Sequence, residues 1–140
     1  MTEKREEVNV IPLSQMGMIH AMLTEELAGT REQFETLTEA LDRPHVLDDE
    51  IISRVKKVYT DQQGMLYAYE ITLERWKALT LTPAQLQRVQ TMEGQLKDLT
   101  EATAQVLDLA DKLSEGTINK VLGMSDLEVA LLYLKGQKKP

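Results

Sequence analysis

Met16, Met18, His20 and Met22 carry the softest set of donor atoms in the chain. Thioether sulfur and imidazole nitrogen suit Cu(I). Alternate spacing would bring all four to one side of an extended strand. On a helix, only 16 with 20 and 18 with 22 share a face. The surrounding apolar pattern is helical, so methionines filling gaps in a core is the better account. His20 falls on the apolar seam of that helix, where a hydrogen-bonded structural histidine is expected rather than a ligand. No metal site is expected.

Other chemistry is limited by what the chain lacks. With no cysteine there is no thiol nucleophile, no thiolate metal site and no disulfide framework. A carboxylate-bridged di-iron bundle needs Glu-x-x-His on each of two helices. Here Gly17 stands three before His20, and Asp42 stands three before His45. No Gly-x-Ser-x-Gly elbow, Walker loop or Gly-x-Gly-x-x-Gly occurs. Acids are abundant, but they fall where a solvated helix face is charged, and nothing selects a catalytic pair. The chain is therefore expected not to be an enzyme and to need no cofactor.

Two polar residues, Gln62 and Thr103, interrupt otherwise apolar seams. A polar seam residue fixes register or oligomeric state in helical assemblies. Tyr59, Tyr69 and Trp76 share a seam, and Tyr67 lies on the same helix. Core packing with polar tips reaching water is the default for them. The competing reading is a ligand-binding bundle, with a small molecule or metal held between helices by Tyr59, Gln62, Tyr69 or His20.

The elements that would position these groups are helices. One apolar stripe runs from about Ser14 to Leu41, through Met16, His20, Leu23, Leu27, Thr30, Phe34, Leu37 and Leu41. Pro44 bars its continuation, because the residue before a proline is pushed out of the helical region. A second stripe runs from about Asp48 to Leu79, through Ile52, Val55, Tyr59, Gln62, Leu66, Tyr69, Leu73 and Trp76. A parallel row, Ile51, Val58, Met65, Thr72 and Leu79, widens that apolar face and suggests a helix touching two neighbours. The third segment opens at Thr82-Pro83-Ala84-Gln85, a capping box with proline at the first helical position. Its seam continues through Val89, Met92, Leu96, Leu99, Thr103, Val106, Ala110 and Leu113, and it ends near Gly116. Short connections make successive helices antiparallel neighbours. The expected fold is all-α: an elongated up-down-up bundle of three long helices plus a short C-terminal helix. Residues 1–13 would form an arm, 14–116 the bundle, and 117–140 the terminal helices and basic tail of a single domain.

A second capping box, Ser125-Asp126-Leu127-Glu128, opens the short helix, and Gly136 follows its last residue, Lys135. Residues 118–125 followed by Val129 outline a helix-turn-helix with glycine in the turn. The would-be reading helix offers Asp126 and Glu128 and no base before Lys135, so it lacks the chemistry to read bases. The same segment carries the clearest functional signal. Leu127, Ala130, Leu131 and Leu134 make one helical face, and Val129, Leu132 and Tyr133 extend apolar surface beyond it. A helix apolar on most sides must be buried more completely than a surface helix. It either completes its own bundle or packs on another chain. Leu127, Ala130, Leu131, Tyr133 and Leu134 are the expected partner-binding residues.

Charge points the same way. The 140-residue chain carries net charge −7. Residues 1–47 hold nine acids against four bases, 48–80 six against five, and 81–117 six against three. Residues 118–140 reverse the sign, with two acids against four bases. A nucleic-acid surface needs a basic stripe, and the only basic concentration is Lys135, Lys138 and Lys139. The longest apolar run, Val129 to Leu134, is far short of the roughly 20 residues a membrane span requires. The charged first residues lack the apolar core of a secretion signal. A cytoplasmic homo-oligomeric interaction protein is expected, acting as adaptor, assembly factor or regulator. Its protein partner is unidentified, and nucleic acid and membrane are disfavoured.

Overall fold

In a computed structural model, the structure describes residues 11–43, 47–117 and 131. Three helices account for most of them: α1 (Met16–Glu39), α2 (Asp49–Lys77) and α3 (Pro83–Leu113). At 1.5 Å per residue they are about 36, 44 and 46 Å long. Short 3-10 turns, Leu13–Gln15 and Ser114–Gly116, precede α1 and follow α3. There is no strand among the described residues. The expected all-α bundle is what forms, although α1 is a turn or more shorter than its stripe. Its seam residue Leu41 lies beyond the helix and is exposed.

Local sequence explains the boundaries. Asp48 caps α2 by accepting from the Ile51 N–H at 2.8 Å, and Asp49 and Glu50 lie at the positive end of the helix dipole. Arg75 and Lys77 lie at its negative end. At α3 the capping box is reciprocal. The Gln85 N–H donates to the Thr82 hydroxyl at 3.1 Å, and the Thr82 N–H donates to the Gln85 carbonyl oxygen at 2.9 Å. Pro83 takes the position where a missing N–H costs nothing.

α3 is the central element: its backbone approaches both other helices closely, and α1 and α2 approach each other less. Cross-helix pairs give the relative directions. Along α1 and α3 the numbers rise together, in His20–Arg88, Thr24–Gln95 and Arg31–Asp98. Along α2 and α3 they run in opposite senses, in Lys56–Asp111, Gln62–Thr103 and Lys77–Glu93.

The apolar interior divides into two clusters. One contains Leu23, Leu66, Leu73, Trp76, Met92 and Leu99, among others. The second contains Leu37, Ile52, Tyr59, Val106 and Leu113. Burying each large side chain contributes about 1.5–3 kcal/mol. The α3 seam is buried almost throughout, with Leu96 half-buried. The widening row on α2 behaves differently. Ile51, Val58, Met65 and Leu79 are exposed, and only Thr72 of that row is buried. The row lies on the flank where α2 would meet α1, and those two backbones stay apart. Its apolar width therefore does not reach a neighbour over most of its length.

Candidate functional site

Between the two apolar clusters lies one polar residue from each helix: Thr30, Gln62 and Thr103. The Gln62 amide nitrogen donates to Thr30 at 3.0 Å and to Thr103 at 2.8 Å. Each threonine hydroxyl donates its own proton one turn back, Thr30 to the Glu26 carbonyl and Thr103 to the Leu99 carbonyl. Both hydroxyl oxygens are thereby left as acceptors, which is what an amide N–H needs. The sequence brought Gln62 and Thr103 forward as seam polars. Thr30 stands in the first seam without being singled out by spacing, and its hydroxyl completes the set.

The other candidate ligand residues are also taken up by neighbours. The Tyr69 hydroxyl donates to the Glu26 carboxylate at 3.1 Å. Burial, then the Glu26 charge and this hydrogen bond, hold its ionisation far above the ordinary tyrosine range. Tyr59 is also raised by burial, partly offset by a hydrogen bond with Thr30. His20 accepts at Nδ1 from Arg88 Nε at 2.9 Å. Trp76, almost fully buried, donates its indole N–H to the Ile11 carbonyl at 2.9 Å. Of the methionines beside His20, Met16 is buried, Met22 half-buried and Met18 exposed, so they do not converge. Among the described residues, no three His, Asp or Glu side chains come together as a metal cluster. Gln95 donates to Thr24 at 2.9 Å and leaves its carbonyl oxygen buried without a partner.

An open groove of about 610 Å³ lies between α2 and α3, and no α1 residue is among its lining. Its floor is apolar, formed by Leu66, Leu73 and the half-buried Leu96. Its rim is acidic: Glu70 and Glu74 on α2, Glu93 and Glu101 on α3, with Lys97 the one base among the lining residues. Tyr67, 54% exposed, stands at the α2 edge of the groove. Helical spacing produces this arrangement. Positions 66 and 73 fall on the core edge of α2, and 63, 67, 70 and 74 fall beside them on the flank toward α3.

Of the residues expected to bind a partner, Leu131 is helical and 56% exposed. Leu127, Ala130, Tyr133 and Leu134 lie outside the described residues, as do His45 and the helix-turn-helix outline apart from Leu131. Sequence reasoning did not find the α2–α3 groove. Leu66, Leu73 and Leu96 follow the seam period, and the flanking glutamates have the spacing of an ordinary solvated face. Compared with family models, curated proteins and solved structures, the chain matches none. No described helix is long and apolar enough to cross a membrane.

Proposed function

We propose that this chain is a non-enzymatic interaction protein, an adaptor, assembly factor or regulator, that receives an amphipathic helix in the α2–α3 groove. The apolar floor with an acidic rim carries the reading. Helix-in-groove recognition buries one apolar stripe and leaves the flanking charges to select the partner. The acidic rim selects basic flanks and repels phosphate, which weighs against nucleic acid. The engagement of Gln62, Tyr69 and His20 with residues of neighbouring helices weighs against a ligand site in the interior.

Self-association is assigned to a different surface. Ile51, Val58 and Met65 recur every seven residues on α2, and all three are exposed. A heptad row of this kind suits the same row on a second copy, in coiled-coil fashion. Light scattering then reports a dimer for the native chain and a monomer for Val58→Glu.

A fluorescein-labelled synthetic peptide of leucine and lysine, patterned as an amphipathic helix, tests the groove by polarisation. The full chain carrying Leu131→Asp and Leu134→Asp is expected to bind it saturably. Adding Leu96→Asp, or Glu70→Lys with Glu74→Lys, weakens binding by about tenfold or more, since each removes a well-packed anchor or reverses the steering charge. Equal binding to all of these proteins removes the groove from consideration.

A further inference from the structure

The groove needs an occupant with an apolar stripe and a basic end, and the chain contains one segment of that composition. Leu127, Ala130, Leu131 and Leu134 supply the stripe, and Lys135, Lys138 and Lys139 follow it. Resting on the reading of the groove as a docking surface, we propose that its resident occupant is this chain's own C-terminal segment, residues 127–139, folded back along α3.

Three observations support the assignment. The first is the point of departure. Thr117 is fully buried and donates to the Asp49 carboxylate at the start of α2, so the chain leaves the bundle at that end. The second is reach. From Leu113 back to Thr100 on the groove is thirteen residues of α3, about 20 Å at helical rise. Residues 118–126, nine in number, span up to about 30 Å when extended. Residue 127 therefore arrives over the groove without strain. The third is polarity along the groove. The Lys56–Asp111 and Lys77–Glu93 pairs place the C-terminal half of α2 beside the N-terminal half of α3. A segment running back from Thr117 meets Glu101 and Thr100 first, then Lys97 level with Glu70, and last Glu93 and Glu74. Its own acids, Asp126 and Glu128, come first, next to Glu101 and within about one helical turn of the groove's one base, Lys97. Its lysines come last, with Lys135 reaching the level of Glu74 and of Glu93, which already pairs with Lys77. A segment docked in the opposite sense brings its acids to Glu74 and Glu93.

The contact stripe also matches in length. Leu127 to Leu134 as a helix is about 12 Å, and Gln63 to Glu74 along the groove is about 17 Å. The half-buried Leu96 gains apolar cover, and the exposed Leu131 is removed from water. Because linker and groove belong to one chain, docking is favoured by a millimolar effective concentration. An outside helix must then compete with the tail.

The absence of cysteine makes the test direct. Leu131→Cys is combined in the full chain with Tyr67→Cys or with Thr100→Cys, one on each wall of the groove. The control pairs Leu131→Cys with Glu32→Cys, exposed on α1 near the level of Asp98 but off the groove. Under oxidised glutathione, at least one groove pair is expected to close an intramolecular disulfide about tenfold faster than the control. Adding Glu74→Lys slows that closure at low salt and has little effect at high salt. Closure at the control rate in both groove pairs overturns the proposal. So does a bridge found only between chains in a mixture of isotope-labelled and unlabelled protein, which assigns the segment to a second copy. Retained helical circular dichroism confirms that each variant is folded. The peptide titration separates the two readings. Peptide binding without tail closure leaves the groove as a docking surface and ends the tail assignment. Tail closure without peptide binding to the Leu131→Asp, Leu134→Asp chain leaves the tail assignment and ends the outward-facing function.

Discussion

Gln62 and Thr103 meet at 2.8 Å where the two apolar clusters of the core are separated, and this hydrogen bond joins α2 to α3 in one register. Sliding either helix by one turn would place the amide against leucine. Thr103→Val removes one of the two amide acceptors and is expected to cost about 1–3 kcal/mol, the desolvation penalty of an unpaired buried donor. Replacing the whole layer, with Thr30→Val, Gln62→Leu and Thr103→Val together, is expected to cost less than that single change. Urea unfolding measures both. If the triple variant loses at least as much as the summed single variants, the layer serves stability and not register.

The Thr82 cap is expected to contribute about 1 kcal/mol through its bond to the Gln85 N–H. Thr82→Ala removes it, and Gln85→Ala removes the return bond to the Thr82 N–H. Because the two side chains act as a pair, the double variant should lose less than the sum of the singles. Strict additivity in a denaturation cycle would show that the halves of the box act independently.

Tyr69 predicts a loss of stability at alkaline pH. Its folded-state ionisation is raised above the ordinary value of 10.0 by burial first and by Glu26 second. Raised in the folded state, it contributes fully below that value. Above it, the unfolded chain gives up the phenol proton while the folded chain retains it, so stability falls as pH rises. Tyr59 adds in the same direction, less strongly. Tyr69→Phe should flatten the decline measured by urea unfolding between neutral pH and about pH 11. An unchanged slope in that variant assigns the decline to other groups.

Trp76 is the single tryptophan and is almost wholly buried. Its emission should be blue-shifted and weakly quenched by acrylamide in the folded chain, and should move to the red on unfolding. Trp76→Phe keeps an aromatic ring but loses the N–H bond to Ile11, at a cost of about 1 kcal/mol or more. Native emission already at the solvent-exposed wavelength would contradict this placement.

Gln95→Leu removes the buried carbonyl oxygen that lacks a partner, while exposed Thr24 can turn to water. Stability should be unchanged or higher by about 1 kcal/mol, since an unpaired buried polar atom carries a desolvation cost. A marked fall in the thermal midpoint would mean that the Thr24 bond dominates.

What the sequence determined by itself is what repeats within one helix or sits at its ends. The 3-4 spacing of Leu23, Leu27 and Thr30, or of Leu99, Thr103 and Val106, marks a buried stripe because side chains on one helix keep their angular order whatever lies outside. The caps at Asp48 and Thr82 were legible because an N-cap bond reaches only three residues along the chain. Tertiary structure decided how far apart the stripes sit. Ile51, Val58 and Met65 have the same apolar character as the seam beside them, yet they remain exposed because α3, not α1, is the close neighbour of α2. The groove follows from that choice, since Leu66 and Leu96, on successive helices, form one floor only when α2 packs against α3. Helical period is a property of one segment, whereas helix separation depends on side chains from two, and no spacing along a single chain encodes that distance.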